Sequence, residues 1–378
     1  MRAMATPSVS STSPVLSRSL LAAALLTLSP ACAEDAPSPA LVEDLRVLAV
    51  RAEPPELLFD REELTREDLL AGSARPVHFE ALVVDPRGGA MVYDWQFCPV
   101  ESSETCGDYE RRKASGNPAF GPVLDAARAQ ELRGMAQIAP DGVLATPGGA
   151  GIGFDVRITP QLFGYHFFAS ALGLGNGAWA SAVLKLETAG EALQAQKRVV
   201  LNARDLGAFN PELAASGFQI CPDPATGLTG APGCLPLRPR TPNHNPELLG
   251  FEIARGVITA PFEPLAAGAP LLLAPKEKVW VRPVVAADAE EPYQTIESAL
   301  QGNRLTVVDH REELVASWFA TAGEFEEEQT AVQLSKTITN EFTAPERAGA
   351  LGKDVTLFVV VRDQRGGVGW SRLAVHLQ

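Results

Sequence analysis

The end of the chain carries the feature that most limits how it can fold. Val355–Val361, VTLFVVV, and Gly369–Leu377, GWSRLAVHL, flank Arg362-Asp363-Gln364-Arg365-Gly366-Gly367. Two β-rich runs around a turn whose glycines accept positive φ predict a β-hairpin. The same D-x-R-G-G pattern stands at Asp85-Pro86-Arg87-Gly88-Gly89, again after a valine-containing strand. There proline presets φ at one position and glycine relieves the steric penalty at another. In 76–84, Val77, Phe79, Ala81 and Val83 fall on one face by a period of two. Met91–Phe97 reads as the return strand, so 76–97 predicts a second hairpin. Shared turn chemistry, rather than a strict repeat period, accounts for the echo.

Further strands are predicted at 45–50, 152–158, 163–171, 178–187, 197–202, 248–254, 278–286 and 314–320. Glu53-Pro54-Pro55-Glu56 stops the first of these, a β-strand ending in a double proline. A short surface helix is predicted over 61–71 and another over 123–138, interrupted at Gly134. Residues 288–312 are polar and read as a loop insertion. Residues 205–242 are dense in proline and glycine and hold two cysteines, so they read as a stapled connector. Hydrophobic content of 46% suffices for packed cores. The reading is a mostly β chain of two β-sandwich domains, 43–204 and 243–378, with short helical insertions. Val47–Glu56, VLAVRAEPPE, followed by a strand, a D-P-x-G-G turn and a Trp-bearing strand, resembles bacterial immunoglobulin-like or PKD-like domains. Trp318-Phe319 with Gly323 and the terminal hairpin look like the same family type. The resemblance implies immunoglobulin-like sandwiches with an adhesive or spacer role.

Arg2 and Arg18 are the only charged side chains before Glu34, and an apolar run from Leu20 to Leu28 follows them. That run is too short to cross roughly 30 Å of hydrocarbon as a helix. A positive start, a short apolar centre and small residues after it predict a secretory signal peptide over 1–33. Residues 34–42, acidic and proline-containing, read as a flexible tether. Ala31-Cys32-Ala33 fits ordinary signal cleavage before Glu34. Leu28-Ser29-Pro30-Ala31-Cys32 also resembles a bacterial lipobox, which implies lipidation of Cys32. Each buried CH₂ of such an anchor adds about 0.8 kcal/mol of membrane affinity. The expected address is the cell envelope, as an outer-membrane lipoprotein held by its lipid anchor alone, or else periplasmic or secreted.

Cysteine arithmetic favours the anchor. The chain holds Cys32, Cys98, Cys106, Cys221 and Cys234. With Cys32 lipidated or removed, four remain for an oxidising compartment. Three pairings exist; the short polar loops favour Cys98 with Cys106 and Cys221 with Cys234. Closing loops of this size stabilises a fold by up to about 3 kcal/mol in the chain-entropy model.

Charge and motifs narrow the function. The formal charge is −14, and removal of Arg2 and Arg18 with the signal takes it to −16. Such a chain repels phosphate backbones, so no nucleic-acid partner is expected. His78, His166, His244, His310 and His376 are scattered without metal-ligand spacing. No nucleophile elbow occurs, and Gly173-x-Gly175-x-Gly177 lacks the context of a phosphate loop. Glu324 and Glu326–Glu328 read as a charged strand edge, which deters aggregation, rather than as a calcium site. Trp95, Trp179, Trp280, Trp318 and Trp370 read as core residues first and as sugar platforms second. The expectation is a non-enzymatic envelope lipoprotein, a surface interaction or scaffolding module with a protein or glycan partner and no cofactor. The alternatives are a carbohydrate-binding or adhesive protein and a divergent hydrolase.

Overall fold

Period-two alternation is expressed across the molecule as strands buried on one face. The computed structural model describes residues 38–65, 74–98, 152–160, 162–164, 177–211, 219–220, 234–298, 305–331, 338–347 and 354–378. The fold is mostly β. Its N-terminal half comprises β1 (Arg46–Glu53), β2 (Glu56–Phe59), α1 (Arg61–Thr65), β3 (Arg75–Val84), β4 (Val92–Cys98), β5 (Gly153–Ile158), β6 (Ala178–Glu187) and β7 (Ala192–Ala203). Two short strands, β8 (Gln219–Ile220) and β9 (Cys234–Leu235), pair in parallel after it. One sheet runs β1-β3-β5 and the other β2-β7-β6-β4. Both sheets feed one buried cluster, with Ala52, Phe79 and Phe154 from the first and Phe59, Trp95 and Leu184 from the second. The Trp95 ring stacks on Phe154 at 5.7 Å between centroids.

Proline places the crossing between these sheets. β1 ends at the cis Glu53–Pro54 peptide, and β2 resumes in the other sheet, parallel to β7. Proline lacks the N–H that a continued ladder needs. The expected hairpin at 76–97 does not form. β3 pairs with β1 and β5, whereas β4 pairs with β6 in the opposite sheet. Phe79 and Ala81 meet Trp95 and Phe97 across the core, so Asp85–Gly89 arches between sheets. Alternation reveals which residues face inward; it does not choose the neighbouring strand. The strand expected at 163–171 also fails where it is described, since residues 162–164 are helical. There Phe163 is buried and stacks on Phe59 at 5.3 Å.

The C-terminal half comprises β10 (Leu248–Arg255), β11 (Glu263–Pro264), β12 (Leu271–Leu273), β13 (Lys278–Val285), β14 (Pro292–Ser298), β15 (Leu305–Arg311), β16 (Val315–Ala320), β17 (Glu324–Phe325), β18 (Gln329–Ala331), β19 (Asn340–Thr343), β20 (Asp354–Arg362) and β21 (Val368–Leu377). Its two main sheets run β11-β10-β13-β19-β17 and β12-β21-β20-β16-β18. They share a second core around Trp318, whose indole N–H donates to Thr330 Oγ1 at 2.9 Å. The terminal hairpin forms as expected, with β20 and β21 paired from Arg362↔Val368 to Asp354↔His376. The supposed loop insertion is a hairpin of its own, β14 with β15. It forms a sheet of its own, and its Ile296 and Val307 pack against the N-terminal core.

A third apolar cluster joins the halves. Leu48 and Ala49 of β1 pack with Phe358 and Val360 of β20 and Val368 of β21. A bulge between Val47 and Ala49 lets two consecutive residues reach this cluster, while Val50 and Ala52 return to the N-terminal core. β20 therefore buries both faces, with Val355, Leu357, Val359 and Val361 on the other side. Two-sided burial explains its unbroken apolar run. Burying each such side chain contributes roughly 1.5–3 kcal/mol. Residues 40–42, at the end of the expected tether, are docked rather than free. Val42 is buried and its N–H donates to the Ala320 carbonyl at 2.8 Å. The connector is also anchored, for Leu206, Phe209, Leu235 and Leu237 join the N-terminal core.

Candidate functional site

The polar centre of the molecule is built by the turn of the terminal hairpin. Asp363 Oδ1 accepts the N–H groups of Arg365 at 2.8 Å and Gly367 at 2.7 Å. Gly366 takes φ +102°, a conformation that side chains with a Cβ resist. This locked turn aims Arg365 inward. Its guanidinium donates to Glu56 Oε2 at 2.5 Å, Glu312 Oε1 at 3.2 Å, Glu291 Oε2 at 3.3 Å and the Thr241 carbonyl at 3.1 Å. Glu56 belongs to β2, while Glu291 and Glu312 bracket the β14–β15 hairpin. One side chain thus ties the N-terminal half, the connector and the C-terminal half together.

The partners are themselves fixed. Glu56 Oε1 accepts from Asn202 Nδ2 at 2.6 Å, and its Oε2 also accepts the Asn243 N–H at 2.9 Å. Asn243 Nδ2 donates to Asp363 Oδ2 at 3.1 Å, closing a ring back to the turn. Glu312 Oε2 accepts the Glu291 N–H at 3.0 Å. Burial pushes the Glu312 carboxyl up to about 7; the hydrogen bond from the Glu291 N–H and the Arg365 charge oppose the rise, while the Asp363 and Glu291 charges add to it. Burial likewise pulls the Arg240 guanidinium below its ordinary value. Lys197 of β7 donates from Nζ to the Gly366 carbonyl, and burial lowers it to about 8.

Beside this network opens a cleft of about 650 Å³. Its walls include Glu56, Trp179, Arg238, Arg240, Tyr293, Asp309, His310 and Arg365. Tyr293 stacks on His310 at 5.2 Å between centroids and donates its hydroxyl to Gln364 Oε1 at 3.1 Å. Gln294 accepts the Arg238 N–H at 3.0 Å and donates to Asp309 at 2.9 Å. A second recess adjoins it, lined by Trp179, Lys197, Arg198 and Arg365. Trp179 borders both, 40% exposed, with the Arg198 guanidinium 5.1 Å from its ring centroid. The arrangement can hold a polar ligand by stacking and hydrogen bonds.

The residues singled out in the sequence scatter around this centre. Trp95 and Trp318 are core residues as expected, but Trp179 is exposed, Trp280 donates to the Gly256 carbonyl and Trp370 lies under Arg51. His78 and His376 each pair with an aspartate directly across the ladder, Asp155 and Asp354, both at 2.8 Å. His310 and His244 reach the junction, the latter 2.7 Å from Glu291 Oε1. Glu324 lies on the edge strand β17. Among the described residues, no group of three or more His, Cys, Asp or Glu is arranged to hold a metal, and no helix is long and apolar enough to cross a membrane. Cys32, Cys106 and Cys221 lie outside the described residues, and only the backbone of Cys98 and Cys234 is described. Sequence reasoning passed over Glu56, Asn202, Asn243, Tyr293 and Glu312, and placed Glu291 only in an acidic loop. One signal was available: Glu56 opens the otherwise apolar strand ELLF, and a buried carboxylate needs a partner. Compared with protein-family models and with curated proteins, the chain matches none.

Proposed function

We propose that this chain is an exported cell-envelope lipoprotein that works without catalysis, as a surface interaction or scaffolding module. Its body is two immunoglobulin-like β-sandwich domains, 43–204 and 243–378, anchored through a lipid on Cys32. The observation that carries the reading is Arg365, which holds Glu56 of one half and Glu291 and Glu312 of the other. A spacer must keep its modules in one fixed relation, and a buried ion network with an apolar seam beside it supplies that. Two sheet pairs, each packed around a tryptophan, support the sandwich reading. The non-enzymatic part rests on a sequence without a nucleophile elbow or metal-ligand spacing.

Two measurements on the protein from its own cells test this. The N-terminal peptide is expected to start at a lipid-modified Cys32, and Cys32→Ala is expected to release the protein from membranes. Urea unfolding followed by fluorescence is expected to give one transition for both halves. An unmodified start at Glu34, or two well-separated transitions, would each remove one leg of the proposal.

A further inference from the structure

Surface turns are ordinarily made of glycine, proline and small polar residues. The turn that leaves β10 departs from this. Gly256-Val257-Ile258-Thr259 follows Arg255, and the Ala260 N–H donates to the Val257 carbonyl at 2.9 Å. Gly256 takes φ +84°, and its carbonyl accepts the Trp280 indole N–H at 3.3 Å. The turn is thus fixed at its base and presents two adjacent β-branched aliphatics outward. Val257 is 65% exposed and Ile258 49%. Leu272 of β12, 44% exposed, extends the patch, since the Arg255 guanidinium donates to its carbonyl at 3.0 Å. Single exposed aliphatics are ordinary, but three grouped on a fixed tip mark a surface that something covers.

The chain enters the C-terminal half at this same end. Leu41 bridges Ala320, the last residue of β16. Ala320 lies opposite Leu357, and Leu357 opposite Leu373, close to where β20 begins and β21 ends. In that terminal row Leu272 stands beside His376, and His376 opposite Asp354. β12 and β16 are three strands apart in their sheet, a lateral distance of about 15 Å. Pro39, just ahead of the bridge, is exposed. Cys32 precedes Pro39 by seven positions, a separation that covers at most about 25 Å. A lipid on Cys32 therefore brings the bilayer surface within reach of the Val257–Ile258 tip. The junction lies at the other end of β20 and β21, beside their connecting turn.

Charge narrows the occupant. Arg255, Lys276 and Lys278 at this end are each paired, with Glu277, Glu346 and Glu341. Glu324 adds negative charge on the far edge strand of the sheet. What the tip offers is apolar area rather than attraction for anions. Contact with a bilayer surface scales with the apolar area buried at the headgroup boundary. An anchor already in the bilayer makes that contact intramolecular, so a few side chains suffice.

We propose that Val257, Ile258 and Leu272 dip into the headgroup boundary of the bilayer, docking the C-terminal half on a zwitterionic lipid surface. The inference rests on the lipid-anchor reading of Cys32. The test uses the whole 378-residue chain with Cys32→Ala and an N-terminal histidine tag, held on phosphatidylcholine vesicles by a nickel-chelating lipid. Hydroxyl-radical footprinting is expected to show Val257, Ile258 and Leu272 oxidised at least about threefold more slowly on vesicles than in solution. Leu249, which is 61% exposed at the opposite end of β10, is expected to be oxidised equally in both. Val257→Ser/Ile258→Ser is expected to return Leu272 to its rate in solution. Unprotected tip residues, or equal protection of Leu249, overturn the proposal. Protection that appears without vesicles as protein concentration rises also overturns it, by making the occupant a second copy of the chain. The N-terminus of the protein from its own cells separates the two readings. An unmodified Glu34 with a protected tip removes the anchor and keeps the lipid contact, whereas a lipid-modified Cys32 with an unprotected tip removes the contact and keeps the anchor.

Discussion

Two turns in this molecule share one local sequence and differ in everything beyond it. At Asp85–Gly89 the aspartate accepts the N–H groups of Arg87 and Gly89, and at Asp363–Gly367 the aspartate accepts those of Arg365 and Gly367. Gly88 and Gly366 both take positive φ. The first turn nevertheless arches between two sheets, while the second closes a hairpin within one. Their arginines diverge further. Arg87 is half exposed and pairs with Asp44 and Glu191 at the surface. Arg365 is 12% exposed and holds three carboxylates from both halves. Turn chemistry fixes the backbone; burial decides what the same side chain is worth. A surface ion pair contributes about 0–1 kcal/mol. Removing one partner of a buried network costs about 3–5 kcal/mol, because the remaining charges stay desolvated.

The sharpest way to break this comparison is to remove both arginines in turn. Arg365→Met is expected to destabilise the protein by about 3–5 kcal/mol in urea unfolding. Arg87→Met is expected to cost under about 1 kcal/mol, vanishing at about 1 M salt where screening acts over roughly 3 Å. Similar costs for the two would mean that the junction network contributes no more than a surface pair.

The glycines that end the turns give a smaller contrast. A Cβ on Gly367 would meet the His244 carbonyl at 2.7 Å and the Asp363 carboxylate, whereas one on Gly89 would meet only the Asp85 carboxylate, at 3.0 Å. A backbone neighbour cannot swing away. Gly367→Ala is therefore expected to cost about 1–3 kcal/mol, and Gly89→Ala less, by thermal denaturation. Equal shifts in Tm would mean that the backbone at His244 yields freely.

How far this was legible follows from the same pair of turns. Alternation at Val77–Val83 and the run VTLFVVV identified strands and inward faces correctly, since those depend on neighbours in sequence. Strand partners did not follow, because β3 and β4 satisfy their pattern equally well in one sheet or across two. The β14–β15 hairpin was hidden by polar residues on both faces, which erase the period-two signal. Arg365 looked like any turn arginine, for its carboxylates lie far away in sequence, at Glu56, Glu291 and Glu312. Trp179 had a strand-like context identical in kind to that of Trp95. Only the assembled sheets leave one exposed and bury the other.

Protonation should separate the two turns in sign as well as in size. Hydrogen bonds, first of all from the Gly89 N–H, hold the Asp85 carboxyl below its ordinary 3.8. Its contribution is present above that value and is lost as pH falls through the lowered one. Glu312 behaves in the opposite way. Burial lifts its carboxyl from 4.5 to about 7, so between these values the folded state binds more proton than the unfolded chain. That contribution is complete below 4.5 and fades as pH rises through about 7. Urea unfolding is expected to show stability falling between pH 5 and pH 8, by on the order of 1–2 kcal/mol from this group. Glu312→Gln, which keeps the shape and carries no charge at any pH, is expected to flatten the decline while leaving the acid limb governed by Asp85. A decline of the same slope in the variant would move its origin away from Glu312, and the junction would then be as indifferent to neutral pH as the exposed turn.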